Sequence, residues 1–179
     1  MKKILWILLV VFCLTGCNNL MNTPTKKVEY LLSKYQSNGE EVLKQLDETL
    51  LADAILSKEQ KEKYKNIMKK QYKDLMYTVK NEAIDGKTAV VEVELEVYDY
   101  AKEITKIESE LLNDSEKFKD STGEINTNTY NDYKLSNLEK VTDRTKYTIN
   151  FTLSKVDEEW VVDDLTETER MKIHGLYAY

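Results

Sequence analysis

Residues 87–100, KTAVVEVELEVYDY, alternate so strictly that they leave little choice of local structure. Ala89, Val91, Val93, Leu95 and Val97 fall on one side of a period of two, and Glu92, Glu94 and Glu96 on the other. Side chains along a strand point to opposite faces in turn, so this segment is a strand with an apolar inner face and a charged outer one. One strand cannot hide that inner face; it needs partner strands and a covering layer. Partners are legible on both sides. Residues 77–84 run into Asp85-Gly86, a dipeptide suited to the positive φ angles of a two-residue type I′ turn, which predicts an antiparallel hairpin. Residues 144–156 alternate again, with Tyr147, Ile149, Phe151 and Leu153 inward and Thr148, Asn150 and Thr152 outward. A turn at Asp157-Glu158 then leads into Trp160-Val161-Val162 as a second hairpin.

The covering layer is helical. Thr23-Pro24 reads as an N-cap followed by proline at the first helical position, and Val28, Leu31, Leu32 and Tyr35 follow at i, i+3, i+4, i+7 until Ser37-Asn38-Gly39. Residues 40–55 carry Val42, Leu43, Leu46 and Leu50 on one side. Ser57 and Gln60 form a capping box that opens a third helix, which runs to about residue 75 with Tyr64, Ile67, Met68, Tyr72 and Leu75 as its stripe. From Ala101 the helical period resumes with Ile104, Ile107 and Leu111, and Phe118 as a further candidate. A polar loop over 120–126 precedes a short helix over 127–140 with Tyr130, Tyr133 and Leu138, and the residues after the second hairpin read as a tail. The expected fold is therefore α+β, with helices packed on a curved antiparallel sheet of at least four strands, and one long helix crossing it.

The N-terminus has a different character. Lys2 and Lys3 precede eleven uncharged apolar residues, 4–14. At ~1.5 Å per residue these span about 16 Å, half of the ~30 Å hydrocarbon core that a membrane-crossing helix must traverse. A cleavable signal fits that length. Leu14-Thr15-Gly16-Cys17 then resembles the lipobox of bacterial lipoproteins. The resemblance implies diacylglyceryl transfer to the Cys17 thiol, cleavage before it, and a membrane-anchored chain on the outer face of the cytoplasmic membrane. The expected organisation is a signal peptide over 1–16, a lipidated tether over 17–23 and a single α+β domain over 24–179. Cys13 leaves with the signal, so the mature chain holds one thioether-linked cysteine and neither disulfide nor thiol nucleophile.

The chain has 26 basic and 32 acidic residues, and loss of Lys2 and Lys3 leaves 24 against 32, a net charge of −8. Such a surface disfavours nucleic acid as a partner. The frequency of Lys, Asn, Ile and Tyr points weakly to an AT-rich, Gram-positive source.

Few residues suggest chemistry. Glu92, Glu94 and Glu96 share a face but stand ~6.6 Å apart along the strand, too far to close a metal shell unaided, and read as a solvated face. No phosphate loop, GxSxG, HExxH or zinc spacing is present, and neither metal nor cofactor is expected. The one histidine, His174, sits in KIHGLYAY and reads as an anchor for the tail or an exposed residue rather than a general base.

The polar helix before YTVKNEAIDGKTAVVEVELEVYDY, and the late RTKYTINFTLSKVDEEWVVDDL followed by KIHGLY, are similar in layout to the nuclear-transport-factor-two-like (cystatin-like) superfamily. The small lipoproteins of Gram-positive bacteria that join such a domain to a lipobox are the particular resemblance. That superfamily implies a cone with a pocket between helix and sheet. On this chain Tyr72, Tyr147, Phe151 and Trp160 are candidates to line it, although core packing accounts for each equally well. The leading expectation is a non-enzymatic, lipid-anchored domain that binds a small ligand, a peptide or a protein partner. The alternatives are an assembly lipoprotein of the envelope acting through its sheet face, and an envelope hydrolase or isomerase using Asp99, Asp164 or His174.

Overall fold

The computed structural model describes residues 22–178. The signal segment and Cys17 lie outside the described residues. Six α-helices and one four-stranded antiparallel sheet are found among those described, in the α+β arrangement expected from the sequence. The helices are α1 (Pro24–Gln36), α2 (Glu40–Ala52), α3 (Lys58–Lys73), α4 (Tyr100–Asn113), α5 (Thr127–Leu138) and α6 (Glu167–His174). The strands are β1 (Met76–Asp85), β2 (Thr88–Tyr98), β3 (Arg144–Val156) and β4 (Glu159–Val162), and they pair in sequence order.

The alternation in β2 is realised along its length. Val91, Val93, Leu95 and Val97 are wholly buried, and Ile149, Phe151 and Leu153 of β3 complete the inner face. On the outer face Glu94 lies between Lys80 and Lys146, and Glu96 pairs with Arg144. Glu94 and Glu96 thus belong to a ladder of cross-strand charges, Glu92 lies between Asn81 and Asn150, and among the described residues no group of three or more His, Cys, Asp or Glu is placed to hold a metal. Edge strand β1 is interrupted by a register shift between Val79 and Asn81, a feature that blunts pairing with another chain.

α1 and α6 lie on the sheet, and the longest helix, α3, packs against both of them. The N-terminal turn of α1 is pinned to β1 by Glu82, whose carboxylate accepts from the Thr25 amide at 2.8 Å and its hydroxyl at 2.6 Å. This places a negative charge at a helix N-terminus, where the helix dipole favours it.

The structure departs from the sequence reading in four places. α2 stops at Ala52 rather than 55, because Asp53 Oδ1 accepts from the amides of Ile55 (2.7 Å) and Leu56 (2.9 Å) and so offers them an alternative to the helix. The first hairpin turns at Gly86-Lys87, with positive φ only at Gly86, the pattern of a type II′ turn. The second hairpin turns at Asp157-Glu158 as expected, and both residues take positive φ (48° and 65°), so the type I′ pattern occurs there without glycine. Phe118 belongs to a separate 3₁₀ turn, Ser115–Phe118, and stacks edge-to-face on Tyr130 and Tyr133 of α5. The expected tail contains α6, opened by a capping box between Thr166 and Glu169.

α6 closes the fold through a clamp. Gln71 of α3 is wholly buried; its Nε2 donates to the Ile173 carbonyl (3.2 Å) and its Oε1 accepts from the Tyr98 amide (3.0 Å). Gly175 ends α6 at φ 70°, and its carbonyl accepts from the Ala101 amide at 2.9 Å. A Cβ on Gly175 would drive into the Tyr98 carbonyl oxygen and crowd Gln71 Nε2. Gly175→Ala therefore combines left-handed backbone strain with a steric clash at the joint of α3, β2 and α6. It is expected to destabilise by about 3 kcal/mol or more in denaturant unfolding. A loss below about 1 kcal/mol would show that the clamp is not needed.

Candidate functional site

The sheet side of the molecule is sealed. Tyr147 and Phe151 from β3 and Trp160 from β4 are buried core side chains, as is Tyr72 from α3. Tyr147 donates to the Tyr177 carbonyl at 2.6 Å and stacks edge-to-face on its ring. Trp160 packs beneath Lys155, and its backbone amide is held by Asn22. Of the four aromatics proposed from sequence, Tyr72 alone is found lining a described cavity.

Open volume lies instead among the helices. A cleft of about 340 Å³ opens between the C-terminal end of α2, the first half of α3, α4 and α5, with Leu176 at one side. The placement of α5 creates it. Gln60 of α3 donates to the Asn128 carbonyl (3.2 Å) and to Asp132 Oδ1 (2.9 Å), and Lys63 donates to Ser136 (2.8 Å) and pairs with Glu139 (3.2 Å). On the other flank Tyr133 donates to Glu110 of α4 at 2.7 Å, and Lys117 pairs with the same carboxylate. These polar seams hold the edges of α5 and leave Asn131, Leu135 and Leu138, at i, i+4, i+7, facing the cleft.

The walls are mostly aliphatic, from Leu50, Ile55, Leu56, Ile104, Leu135, Leu138 and Leu176, with three uncharged polar residues, Thr49, Tyr64 and Asn131, among them. Asn131 is 4% exposed, and its Nδ2 is buried with no hydrogen-bond partner. Tyr64 also faces the cleft; burial pushes its phenol up to about 12, so it stays a neutral hydroxyl throughout the physiological range. Asp53 and Lys134 bring opposite charges to the same site. The Asp53 carboxyl is held below the usual carboxylate range, first by the Leu56 and Ile55 amides and further by the charges of Lys61 and Lys134.

A smaller cavity of about 110 Å³ shares Thr49 and Tyr64 with this cleft and is lined by Tyr35, Tyr72, Arg170 and His174. Here Tyr72 Oη lies 3.0 Å from His174 Nε2, and the Tyr35 and Tyr72 rings meet edge-to-face at 5.1 Å. Burial, aided by Arg170, lowers the His174 imidazolium to about 4, and burial pushes the Tyr72 phenol well above its ordinary range. A neutral imidazole against a protonated phenol fits a hydrogen bond from Tyr72 to His174, which ties α6 to α3. Among the described residues no carboxylate hydrogen-bonds this imidazole: Asp99 caps α4 by accepting from the Lys102 amide, and Asp164 lines a different cavity beside Arg170. The sequence-proposed acid and base candidates are therefore not brought into hydrogen-bonded contact with one another.

Asn131 and Tyr64 were not singled out from sequence as site residues. A signal existed for the first: Asn131 interrupts the Leu135–Leu138 side of a helix, where a polar amide must find a partner or remain unpaired. Comparison of the chain with protein-family models, with curated proteins and with solved structures gives no match.

Two outcomes follow from this geometry. An unpaired buried donor costs ~1–3 kcal/mol, so Asn131→Leu is expected to raise unfolding free energy by about 1 kcal/mol in denaturant titrations; a clear loss would mean that the amide has a partner in solution. For His174 the folded value lies below the unfolded one, so its contribution is intact above about 6.5 and is lost as pH falls from there towards 4. Stability measured across that interval should decline more steeply in the wild type than in His174→Gln, and equal slopes would contradict a buried neutral imidazole.

Proposed function

We propose that this chain is a lipid-anchored binding protein of the outer face of the cytoplasmic membrane, carrying a small ligand or a short peptide side chain in the cleft between α2, α3, α4 and α5. The reading joins two independent supports. The first is Leu14-Thr15-Gly16-Cys17 after a short apolar run, which favours an anchor on Cys17. Two or more acyl chains on one residue would hold the protein firmly, where one would bind only marginally. Among the described residues no helix is long and apolar enough to cross a membrane, so the lipid would be the attachment to the bilayer that this reading requires.

The second support, and the observation that carries the binding role, is the cleft itself. Its 340 Å³ is at the low end of the ~300–1,000 Å³ usual for small-molecule sites, and its make-up, apolar walls with a few placed polar groups, is the usual one for such sites. The layout of helices over a curved antiparallel sheet is in keeping with a nuclear-transport-factor-two-like lipoprotein, but here the inner sheet face is filled by its own side chains. The usable space is displaced to the helical layer. An assembly role through the outer sheet face has less support, because that face carries paired charges around Glu94 and Glu96.

Each half of the proposal has its own test. Metabolic labelling with an alkyne fatty acid should mark the wild-type protein and spare Cys17→Ser, and equal labelling would remove the anchor. Residues 17–179 carrying Cys17→Ser should bind the neutral dye N-phenyl-1-naphthylamine saturably. Ile104→Trp, which fills the cleft, should weaken that binding about tenfold while Val161→Ser leaves it unchanged; equal effects would place the dye elsewhere.

A further inference from the structure

The chemistry of the cleft narrows what it can hold. Resting on the binding role just proposed, we infer that the ligand is an uncharged organic molecule whose apolar body carries a hydrogen-bond-accepting oxygen, a carbonyl or its equivalent, read by the Asn131 amide. Four observations converge. The seven aliphatic side chains of the wall offer no polar contact, so most of the ligand must be hydrocarbon. Asn131 lies on the buried stripe of α5, 4% exposed, with its Nδ2 donor unmatched by any protein acceptor. An amide in that state gains more from a ligand acceptor than an already paired amide would. Tyr64 adds a hydroxyl that burial keeps neutral, and the Thr49 hydroxyl donates to the Gln45 carbonyl, so none of the three uncharged polar residues on the wall offers a charge.

The charges present argue the same way. Asp53 and Lys134 line the cleft together, and the Lys134 charge helps to hold Asp53 ionised. Opposite charges at one site leave little net field, so neither an acid nor an amine is favoured over a neutral molecule. Asp53 is in addition committed to the Ile55 and Leu56 amides through Oδ1, the contact that ends α2. The cleft also differs in kind from the neighbouring cavity, where Arg170 lies beside His174 and Tyr72. A ligand carrying a carboxylate would have its natural seat there and not against Leu135 and Leu138.

The test uses two probes of nearly equal shape. Acetophenone carries the carbonyl, and ethylbenzene has a methylene in its place. Each is titrated into isotope-labelled residues 17–179 carrying Cys17→Ser, with the amide, methyl and Asn131 side-chain resonances followed by NMR. Acetophenone should bind with an affinity about 3- to 10-fold above ethylbenzene and shift the Asn131 Nδ2 protons. In Asn131→Leu the order should reverse, and the melting temperature of the variant shows that it is folded. Binding of both probes to the cleft with equal affinity in the wild type, or an unchanged preference in Asn131→Leu, would overturn the ligand class and leave the cleft as a binding site. Absence of any shift at Leu50, Ile104, Leu135 and Leu138 with either probe would instead overturn the cleft reading on which it rests. The wild-type comparison needs no variant, so a destabilised Asn131→Leu does not rescue the proposal.

Discussion

Burial of the inner faces of β2 and β3 is the constraint from which the rest of the molecule follows. Val91, Val93 and Leu95 are opposite or diagonal to Ile149, Phe151 and Leu153, Val97 is diagonal to Tyr147, and all are essentially removed from water. Each such side chain is worth ~1.5–3 kcal/mol when fully buried, so this face dominates the apolar contribution of the sheet. That gain requires a cover. α1 supplies one part and α6 the other, and neither is long or strongly enough patterned to be a stable helix alone. They persist because their ends are fixed: α1 to β1 through Glu82, and α6 to the β2–α4 junction through Gln71 and Gly175. A backbone-to-side-chain clamp in the core therefore decides whether the sheet is closed.

Once the sheet is closed, the helical side is where space remains. α3 is committed on its inner side to α1 and α6, and α5 reaches it through polar groups at the edge. Interdigitation of Leu135 and Leu138 with α2 is incomplete, and Asp53 ends α2 just where another turn would have extended it. The cleft is thus a consequence of two local polar preferences, the turn at Asp53 and the seam at Gln60, acting against apolar collapse. Leaving Asn131 unpaired in its wall lowers stability in a place where a core leucine would have raised it. Sites that bind ligands are where such local conflicts are expected to survive.

Most of the sheet could be seen in the sequence, because a period of two is hard to imitate. The boundaries of β3, the alternation in β2 and the two capping motifs at Thr23 and Ser57 all have local causes. What escaped had causes that are not local or signals that compete. α6 carries its own capping box at Thr166 and Glu169, but its eight residues hold a single buried side chain, Ile173, so no stripe announces it. The Asp53 turn was hidden behind apolar Ile55 and Leu56, which continue the pattern of α2 in composition. The four aromatics Tyr72, Tyr147, Phe151 and Trp160 looked alike in sequence whether they faced a pocket or a core. The cleft depends on how four helices meet, which the stripe of each helix leaves open. Asn131 was the exception: a polar residue on the buried side of α5, with nothing nearby in sequence to satisfy it.

A crystal structure of residues 22–178 under xenon pressure would test the central claim, that the helical layer contains an accessible apolar site while the space between the helices and the inner sheet face is filled. Xenon enters cavities lined by hydrocarbon and leaves the rest of the molecule unmarked. The account predicts a xenon peak against Leu50, Leu135 and Leu138, and none between the helices and the inner face of β2 and β3. Xenon beneath Phe151 and Leu95, or a cleft closed by its own leucines with no peak, would contradict it.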